Sequence, residues 1–547
     1  MTKMKKLLVS IFLLVCVATA YTQDVNPMDL EFQRLSVRRF IFSNNIGLTE
    51  FKPSEIVAFA SMHPAFAVAD DNIAVCDTSF SPRINEGKLI LDASSGKMPV
   101  CFYVGSVNPY ATYDLDIESI IASSGETVDI GIDLARRGLR DRVQVIARSG
   151  KETGIVLRVY QDTKLVREES FAAVTPKFPY KLRVQLYGRS LGVFTEKDGV
   201  TTYHGHLDGS DTGHFGNVLD FRNLDINRQC SFNIFFNKEG KVILNGASSY
   251  LSAGVGQADI RAVSYEDLTP FMDEGRLWFM FSCRGIGLPH PGQGVMSLDP
   301  STFEVRFEGM IVFDFGDGLL RNTVGTHLFY DRNAKEWRAY SCDFGGSAYR
   351  EGRSESQLFT ATANKDPRRG YSVMKAQLIS NDYIAGKHED PCIFFDKEVQ
   401  KWRLLTSSFQ KGQIVASMFE SDKWNGKFTE ITPAIDLNST GTCIQKIGKN
   451  YYCFMGGTGN LRIHSYPDLK YISDIRMDYQ PHWPKPALRV WANVVPLPAG
   501  YPYRYVLLTM DRANFPGITK QTWSYGSLYF YGANPKDISS DEYEFGL

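Results

Sequence analysis

Short runs of apolar residues recur at a regular interval through the second half of the chain. Each repeat holds an apolar strand, a short turn and a second apolar strand that ends in small or polar residues, and a new repeat begins every 50 to 64 residues. The segments are 267–284, 325–343, 388–408, 441–456 and 491–511. Hairpins repeated at this length are typical of a β-propeller, in which each repeat is one blade packed between its neighbours. The pattern predicts a five-bladed propeller over residues 258–547.

The first half follows a different pattern. Between about residues 50 and 250, apolar and polar residues alternate along segments separated by turns that contain Gly or Pro. A period of two without helical periodicity predicts half-buried antiparallel strands. The predicted strands are 88–92, 113–120, 127–134, 142–148, 154–160 and 180–187. They predict a β-sandwich over residues 21–250, and their order resembles the jelly-roll of concanavalin-like lectin domains. The whole chain is therefore predicted to be all-β.

The sandwich has two alternative roles. It is either a companion that braces the propeller or a sugar-binding module, for which Tyr110, Tyr113 and Tyr203 are the candidate exposed aromatics. Aromatic residues in a sandwich are more often part of the core, which favours the bracing role. A segment rich in small residues, 246–256, is the expected boundary between the two domains.

The N-terminus has the features of an export signal. Lys3, Lys5 and Lys6 precede an apolar run over residues 7–17, and a small-x-small site ends at Ala20. We therefore expect residues 1–20 to be a signal peptide and the mature protein to be periplasmic, secreted or at the cell surface. A lipoprotein attached through Cys16 is the less favoured alternative. No other stretch approaches eighteen apolar residues, so we expect no membrane span in the mature chain.

Net charge and cysteine spacing indicate whether nucleic acid or zinc is expected as a partner. The formal net charge is −1, which gives no indication of nucleic acid as a partner. The absence of a Cys-x-x-Cys pair argues against zinc, and we predict neither a metal nor a cofactor. The cysteines are expected to be buried free thiols, with a Cys76–Cys101 disulfide as the alternative. We expect a monomer.

Polar and ionisable residues gather at one end of the predicted propeller strands. The strand interiors are apolar, as burial on both faces requires. Their ends carry Glu266, Asp267, Arg284, His327, Asp343, His388, Glu389, Asp390, Trp491, Asn493, Asp511 and Arg512. If the innermost strands begin at one face, these side chains ring a polar pocket on the propeller axis. A solvated rim held by structural ion pairs is the plainer interpretation of the same residues.

The most specific local motif is His388-Glu389-Asp390-Pro391, followed by an apolar strand, a turn and a return strand led by Trp402. This motif and the blade pattern resemble the five-bladed propeller glycoside hydrolases of families 43, 32 and 117. The resemblance implies that an acid at the start of the first blade, Asp267 or its neighbour Glu266, acts as base or nucleophile. It also implies that Asp390 orients the substrate.

The proton donor is less clearly marked. Residues 441–443 read Gly-Thr-Cys near the point where those families often provide a glutamate. The candidate acids are therefore His327, His388, Glu389 and Asp343, since the resemblance to family 117 includes a histidine acid.

Arginines at the strand ends indicate the charge of the substrate. Arg284 and Arg512 end return strands, and a guanidinium group binds a carboxylate through two parallel hydrogen bonds. The sequence therefore predicts an exported hydrolase of an acidic polysaccharide or oligosaccharide. The combination of domains is also similar to glycoside hydrolase family 143, which acts on pectic rhamnogalacturonan II. A non-catalytic glycan-binding protein and a polysaccharide lyase are the alternatives.

Overall fold

A computed structural model describes most of the chain outside the first 24 residues. The described ranges are 25–55, 65–68, 74–76, 82–92, 99–171, 176–207, 219–237, 239–284, 292–343, 357–380, 382–384, 386–410, 412–457, 459–482, 491–511, 513, 515–516 and 526–536. The predicted signal peptide and Arg512 lie outside these ranges. Within them, no helix has both the length and the apolar character needed to cross a bilayer.

The first half of the chain is built almost entirely of strands. Its one α-helix is α1 (Leu224–Asn227) in the part of the chain described, and short 3-10 turns cover Pro27–Asp29, Pro53–Glu55 and Arg137–Leu139. The strands are β1 (Glu31–Arg38), β2 (Ile46–Phe51), β3 (Ala65–Val68), β4 (Ala74–Cys76), β5 (Arg83–Asn85), β6 (Lys88–Asp92), β7 (Val100–Ser106), β8 (Thr112–Ala122), β9 (Thr127–Arg136), β10 (Arg142–Gly150), β11 (Gly154–Gln161), β12 (Lys164–Phe171), β13 (Tyr180–Tyr187), β14 (Ser190–Lys197), β15 (Val200–Leu207), β16 (Cys230–Phe236) and β17 (Gly240–Leu251).

The regular elements described in the second half are all strands. They are β18 (Gly256–Ala262), β19 (Ser264–Tyr265), β20 (Met272–Asp273), β21 (Arg276–Arg284), β22 (Gly292–Leu298), β23 (Val305–Asp314), β24 (Leu320–Arg321), β25 (Val324–Asp331), β26 (Glu336–Cys342), β27 (Leu358–Ala363), β28 (Gly370–Leu378), β29 (His388–Asp396), β30 (Lys401–Gln410), β31 (Gln413–Ser421), β32 (Thr429–Thr432), β33 (Thr440–Ile447), β34 (Asn450–Gly456), β35 (Leu461–Ser465), β36 (Tyr471–Asp474), β37 (Arg476–Met477), β38 (Asn493–Pro496), β39 (Tyr505–Met510) and β40 (Leu528–Ala533).

Strands β2 to β17 form a sandwich of two sheets. One sheet has the order β12-β11-β10-β9-β16-β7-β3-β4, and the other has β15-β14-β13-β8-β17-β6-β5 with β2 also paired to β17. Inward-facing residues of both sheets, such as Leu115, Ile132 and Val145, share one buried cluster. Period-two alternation places these apolar side chains on the inner faces. All six strands predicted from the alternating pattern are present.

The remaining strands form the five blades of a propeller. Blades 1 to 4 run β18-β21-β22-β23, β25-β26-β27-β28, β29-β30-β31-β32 and β33-β34-β35-β36, and blade 5 runs β38-β39-β40-β1. The first strand in each of these orders is the innermost one. Blades 1 and 2 also join through parallel pairing of their outer strands β23 and β28. The predicted fold class, a jelly-roll-like sandwich followed by a five-bladed propeller, is confirmed.

The prediction for the first blade was wrong by one strand. Residues 276–284 form β21, which lies between β18 and β22 and is therefore the second strand of its blade. The innermost strand is β18, a strand of mostly small and polar residues that begins where the predicted linker ends. Residues 263–275, which include Glu266 and Asp267, consequently follow the far end of β18.

The fifth blade is completed by a strand from the start of the chain. β1 pairs antiparallel with β40, with Gln33 opposite Gly532 and Arg38 opposite Leu528. Strand β37 pairs in parallel with the outer edge of β1. The sandwich therefore lies between the ring-closing strand and the first blade in the sequence, although residues 31–38 fall within the predicted sandwich domain, residues 21–250.

The sandwich packs against blades 1 and 5. Phe40, Tyr110 and Leu251 share a buried apolar cluster with Phe281 of blade 1 and Leu508 of blade 5. The Tyr110 hydroxyl donates to the carbonyl of Leu320 at 2.7 Å. These contacts support the bracing role. Tyr110 and Tyr113 are buried, so neither can be an exposed sugar platform.

Candidate active site at the propeller mouth

A residue of left-handed backbone conformation lies within the first four residues of each innermost strand, or, in blade 5, two residues before it. In blades 1 to 4 this residue lies where the strand bulges away from its partner. The five residues and their φ angles are Asp259 (51°), Gly325 (65°), Asp390 (54°), Gly441 (64°) and Trp491 (65°). A positive φ is uncommon outside glycine and costs free energy, so its recurrence at non-glycine residues marks a site that the surrounding structure enforces. We call these five residues the mouth ring.

Contacts across the ring place it on the propeller axis. A Cβ added to Gly325 would lie 3.2 Å from Asp390 Oδ1 and 3.5 Å from Trp491 Cη2, so blades 2, 3 and 5 meet there. The buried side chain of Arg261 lies one layer below. Its guanidinium group donates to the carbonyls of Thr442 and Asp390 and lies 4.9 Å from the centre of the Trp491 ring.

The carboxyl group of Asp390 is buried, hydrogen-bonded and shifted in pKa. Its Oδ2 accepts hydrogen bonds from Thr440 Oγ1 at 2.6 Å and from the Gly441 amide at 2.7 Å. Burial, followed by the negative charge of Asp259, raises the pKa of Asp390 to about 6, although those hydrogen bonds and Arg261 oppose the rise. Two carboxyl groups that influence each other in a buried site can hold one proton between them.

Asp259 was not among the residues predicted from the sequence, although its spacing from Arg261 marks it. In each blade the residue two positions after the ring residue points into the channel: Arg261, His327, Cys392, Cys443 and Asn493. Asp259-x-Arg261 therefore repeats the spacing of Asp390-x-Cys392. Aspartate tolerates left-handed backbone conformation better than most residues, so an aspartate at this spacing was recognisable.

The channel below the ring is closely packed. It encloses a cavity of only about 20 Å³. His327 is buried there: its Nδ1 accepts the Ile393 amide at 3.1 Å, and its Nε2 lies 3.2 Å from the Ser264 hydroxyl. Burial and the charge of Arg261 hold its pKa well below the usual value. A neutral imidazole with both nitrogens engaged is suited to joining blades 1, 2 and 3 rather than to donating a proton.

Asn493 also connects blades. Its amide donates to the Ile260 carbonyl at 2.7 Å, and its oxygen accepts the Ala262 amide at 3.1 Å. These bonds tie blade 5 to blade 1 and use the side chain that was predicted to contact substrate.

Glu266 and Asp267 lie on the opposite face of the propeller. Glu266 binds Arg332, and Asp267 binds Arg332 and Lys397, each of the Asp267 ion pairs at 2.6 Å. Arg332 and Lys397 follow the far ends of β25 and β29. Burial would raise the pKa of Asp267, but hydrogen bonds from Lys397, Thr269 and Arg332 lower it well below its usual value. The two residues are therefore not in reach of the mouth ring.

The other predicted residues of blades 2 and 3 lie near the mouth in different settings. Glu389 precedes Asp390 and is half-buried. His388 is buried beside Phe419, with ring centres 5.4 Å apart, and lines a groove of blade 3 instead of the axis. Asp343 is buried at the end of β26, where its Oδ1 accepts the Gln357 amide at 2.7 Å.

The remaining candidates belong to blades 1 and 5. Asp511 is buried and accepts the amides of Ala513 and Ser527 at 3.0 and 2.9 Å, so it organises the end of its own blade. The backbone of Arg284 pairs with Gly256, three residues before Asp259, at the mouth end of blade 1.

Buried thiols account for the cysteines that the structure describes in full. Cys101 is a free thiol whose Sγ donates to Asp133 at 3.1 Å. Strand β3 lies between its strand, β7, and the strand of Cys76, β4. The alternative of a Cys76–Cys101 disulfide is therefore wrong.

Comparison with known proteins gives weak likenesses. No family model matches the chain, and no curated protein matches it. Among solved structures, a family 117 glycoside hydrolase of Zobellia galactanivorans is 11% identical, with a TM-score of 0.35 over 53% of this chain and 89% of that one. An inulosucrase from Halalkalicoccus jeotgali bound to kestose is 12% identical, with a TM-score of 0.36 over 52% and 86%. Bacillus subtilis levansucrase is 10% identical, with a TM-score of 0.34 over 52% and 88%.

Proposed function

We propose that this protein is a glycoside hydrolase and that Asp259 and Asp390 are its catalytic carboxyl groups. The observation that carries the proposal is the pairing itself: two aspartates occupy equivalent strained positions in two blades, on the axis, and one raises the pKa of the other. Perturbed carboxyl pairs of this kind mark acid and base sites.

Glycoside hydrolysis needs one group that holds a proton and one that is ionised. Asp390, with its pKa raised to about 6, holds its proton at mildly acidic pH and is assigned as the acid. Asp259 is assigned as base or nucleophile. Glu389 is the second candidate acid, because it neighbours Asp390 and is only half-buried.

We further propose that the substrate is an acidic glycan, such as a polymer that contains uronate or keto-acid sugars. The support is the placement of Arg284, whose backbone lies beside the strand of Asp259, together with the sequence position of Arg512, two residues after the last residue of β39. A guanidinium group at a partly dry mouth binds a carboxylate more strongly than it would at an open surface.

The first experiment separates the two faces of the propeller. Asp259→Asn and Asp390→Asn should each lower turnover on a responsive substrate by more than a hundredfold, since each removes an acid or base. Asp267→Asn is the matched control on the opposite face and should keep near wild-type turnover. The reverse pattern would place the chemistry at Asp267 and overturn the assignment.

A second experiment identifies the acid. A leaving group that departs without protonation, such as dinitrophenolate, does not need the acid. Asp390→Asn should therefore be far less damaging on a dinitrophenyl glycoside than on a natural glycan, and Asp259→Asn should be equally damaging on both. If Glu389→Gln shows that selectivity instead, Glu389 is the acid.

Product analysis distinguishes the alternatives. A hydrolase releases a saturated reducing sugar, whereas a lyase releases an unsaturated uronide that absorbs in the ultraviolet. Retention of glycans without any product, across pectic, host and microbial polysaccharides, would mean that the protein binds sugars and does not cleave them.

A further inference from the structure

A groove separate from the carboxyl pair runs along blade 3. It has a volume of about 730 Å³ and lies between the segment before β29 and the ends of β30 to β32. The residues used below are Tyr383, His388, Ser408, Phe409, Gln410 and Glu430, all of which line it. This volume is within the range of small-molecule and oligomer sites, about 300 to 1,000 Å³.

The groove adjoins the mouth. His388 lines it and precedes Asp390 by two residues on β29, a separation of about 7 Å along an extended chain. His388 also pairs with Ser408 at the mouth end of β30. Because β29 contributes to both, the groove and the central pair lie within reach of one chain-like ligand.

Two aromatic rings at the groove are exposed. Phe409 is 64% exposed and Tyr383 is 42% exposed, although Leu404 and Leu405 of β30, the strand of Phe409, are buried. The position of Tyr383 is fixed by its carbonyl, which accepts the Phe428 amide at 2.8 Å. Exposed aromatics in a concave site are typical of ligand contacts, because they offer a large apolar face at little cost in conformational entropy.

Polar groups accompany the aromatic rings. Gln410 donates to the Ser408 hydroxyl at 2.9 Å, so the two form a connected pair of donors and acceptors. The charged lining residues Asp382, Lys387 and Glu430 carry both signs. A site that combines aromatic faces with mixed polar groups matches a sugar ring, which has apolar C–H faces and a rim of hydroxyl groups.

We propose that this groove binds sugar units of a polymeric substrate that flank the bond cleaved at Asp259 and Asp390. The proposal rests on the proposed function and adds that the enzyme recognises a chain and not a single terminal sugar. Phe409 and Tyr383 supply stacking surfaces, and Gln410 and Ser408 supply hydrogen bonds.

The kinetic test uses the full mature chain with rhamnogalacturonan II and a nitrophenyl uronide as probes. Phe409→Ala, alone or with Tyr383→Ala, should raise KM for the polymer about tenfold or more, with kcat unchanged and no effect on the nitrophenyl uronide. Tyr471→Ala, which removes another exposed aromatic from blade 4, is the control and should change neither value. An unchanged KM for the polymer in the Phe409 variants would overturn the proposal.

A binding test separates failure of the groove from failure of the hydrolase. If no probe is cleaved, affinity electrophoresis in rhamnogalacturonan II, polygalacturonate and xylan still reports binding. Retention of the wild type that is lost in Phe409→Ala supports the groove even without catalysis. Equal retention of both proteins, or retention of neither, overturns it. A dimer that Phe409→Ala dissociates would show that the groove holds a second copy of the chain, which also overturns the assignment to sugar.

Discussion

Replacing Asp390 by Asn should make the folded protein more stable at neutral pH while it lowers turnover on a natural glycan by more than a hundredfold. The carboxyl group binds its proton more tightly in the folded chain, where its pKa is about 6, than in the unfolded chain, where it returns to 3.8. The stability that it contributes is therefore complete below about pH 4 and is lost as the pH rises through 6. A pKa difference of about 2 between the folded and unfolded chain corresponds to about 3 kcal/mol in the free energy of unfolding.

The asparagine can keep the native hydrogen bonds. Its amide oxygen can accept from Thr440 and Gly441 as Oδ2 does, and its amide nitrogen would then take the position of Oδ1. We therefore expect Asp390→Asn to stabilise the fold by about 1 to 3 kcal/mol at pH 8 and to lose that advantage at pH 4.

Thermal unfolding measured by calorimetry at both pH values tests this expectation. Asp396→Asn is the control, because Asp396 lies at the other end of β29 and accepts the Tyr466 hydroxyl at 2.5 Å. That variant should be destabilised at pH 8. If Asp390→Asn is less stable than the wild type at pH 8, or if its advantage is the same at pH 4, burial and the charge of Asp259 do not govern this carboxyl group.

Three further predictions concern the mouth and the closure of the ring. Arg284→Lys or Arg512→Lys should weaken an acidic substrate about tenfold, or about 1.4 kcal/mol, with little effect on its carboxyl-reduced analogue in KM measurements. Gly325→Ala should lower turnover, because its Cβ would meet Asp390 at 3.2 Å. Gly412→Ala is the control: φ is 84° there and the space is open, so the change should cost only backbone strain of about 1 to 2 kcal/mol in unfolding assays. Deleting Glu31–Arg38 should expose the edge of β40 and cause aggregation on size-exclusion chromatography.

The architecture was readable from the sequence because strand burial follows local rules. Alternation identified the sandwich strands, and apolar runs at a regular interval identified the innermost strands of blades 2 to 4. The innermost strand of blade 1 was not predicted because β18 has no long apolar run. Its small residues, such as Gly256 and Ala258, are buried in the fold but follow the predicted linker without a clear change in composition.

The candidate site was half readable for a related reason. Asp390 was found through a local motif, and its partner depended on knowing which strand is innermost. Because the first blade was predicted to begin one strand too late, Asp267 was selected as the candidate residue and Asp259 was not. Asn493 and His327 lie near the axis in the structure. Their structural role could not be predicted, because their hydrogen bonds with Ile260 and Ile393 join blades that are far apart in the sequence.

Because the closing strand comes from the start of the chain, the propeller cannot be completed until both ends of the chain are present. Gln33 must wait for Gly532, almost 500 residues later, before blade 5 can form its last pairing. Long-range pairings of this kind form slowly, because the intervening loop must be closed first. The sandwich, whose strands pair with near neighbours such as β10 with β9 and β11, can fold before the ring closes. Until the last strand arrives, the free face of blade 1 therefore has the finished sandwich beside it, so the domain that braces the mature ring also shields the unfinished one.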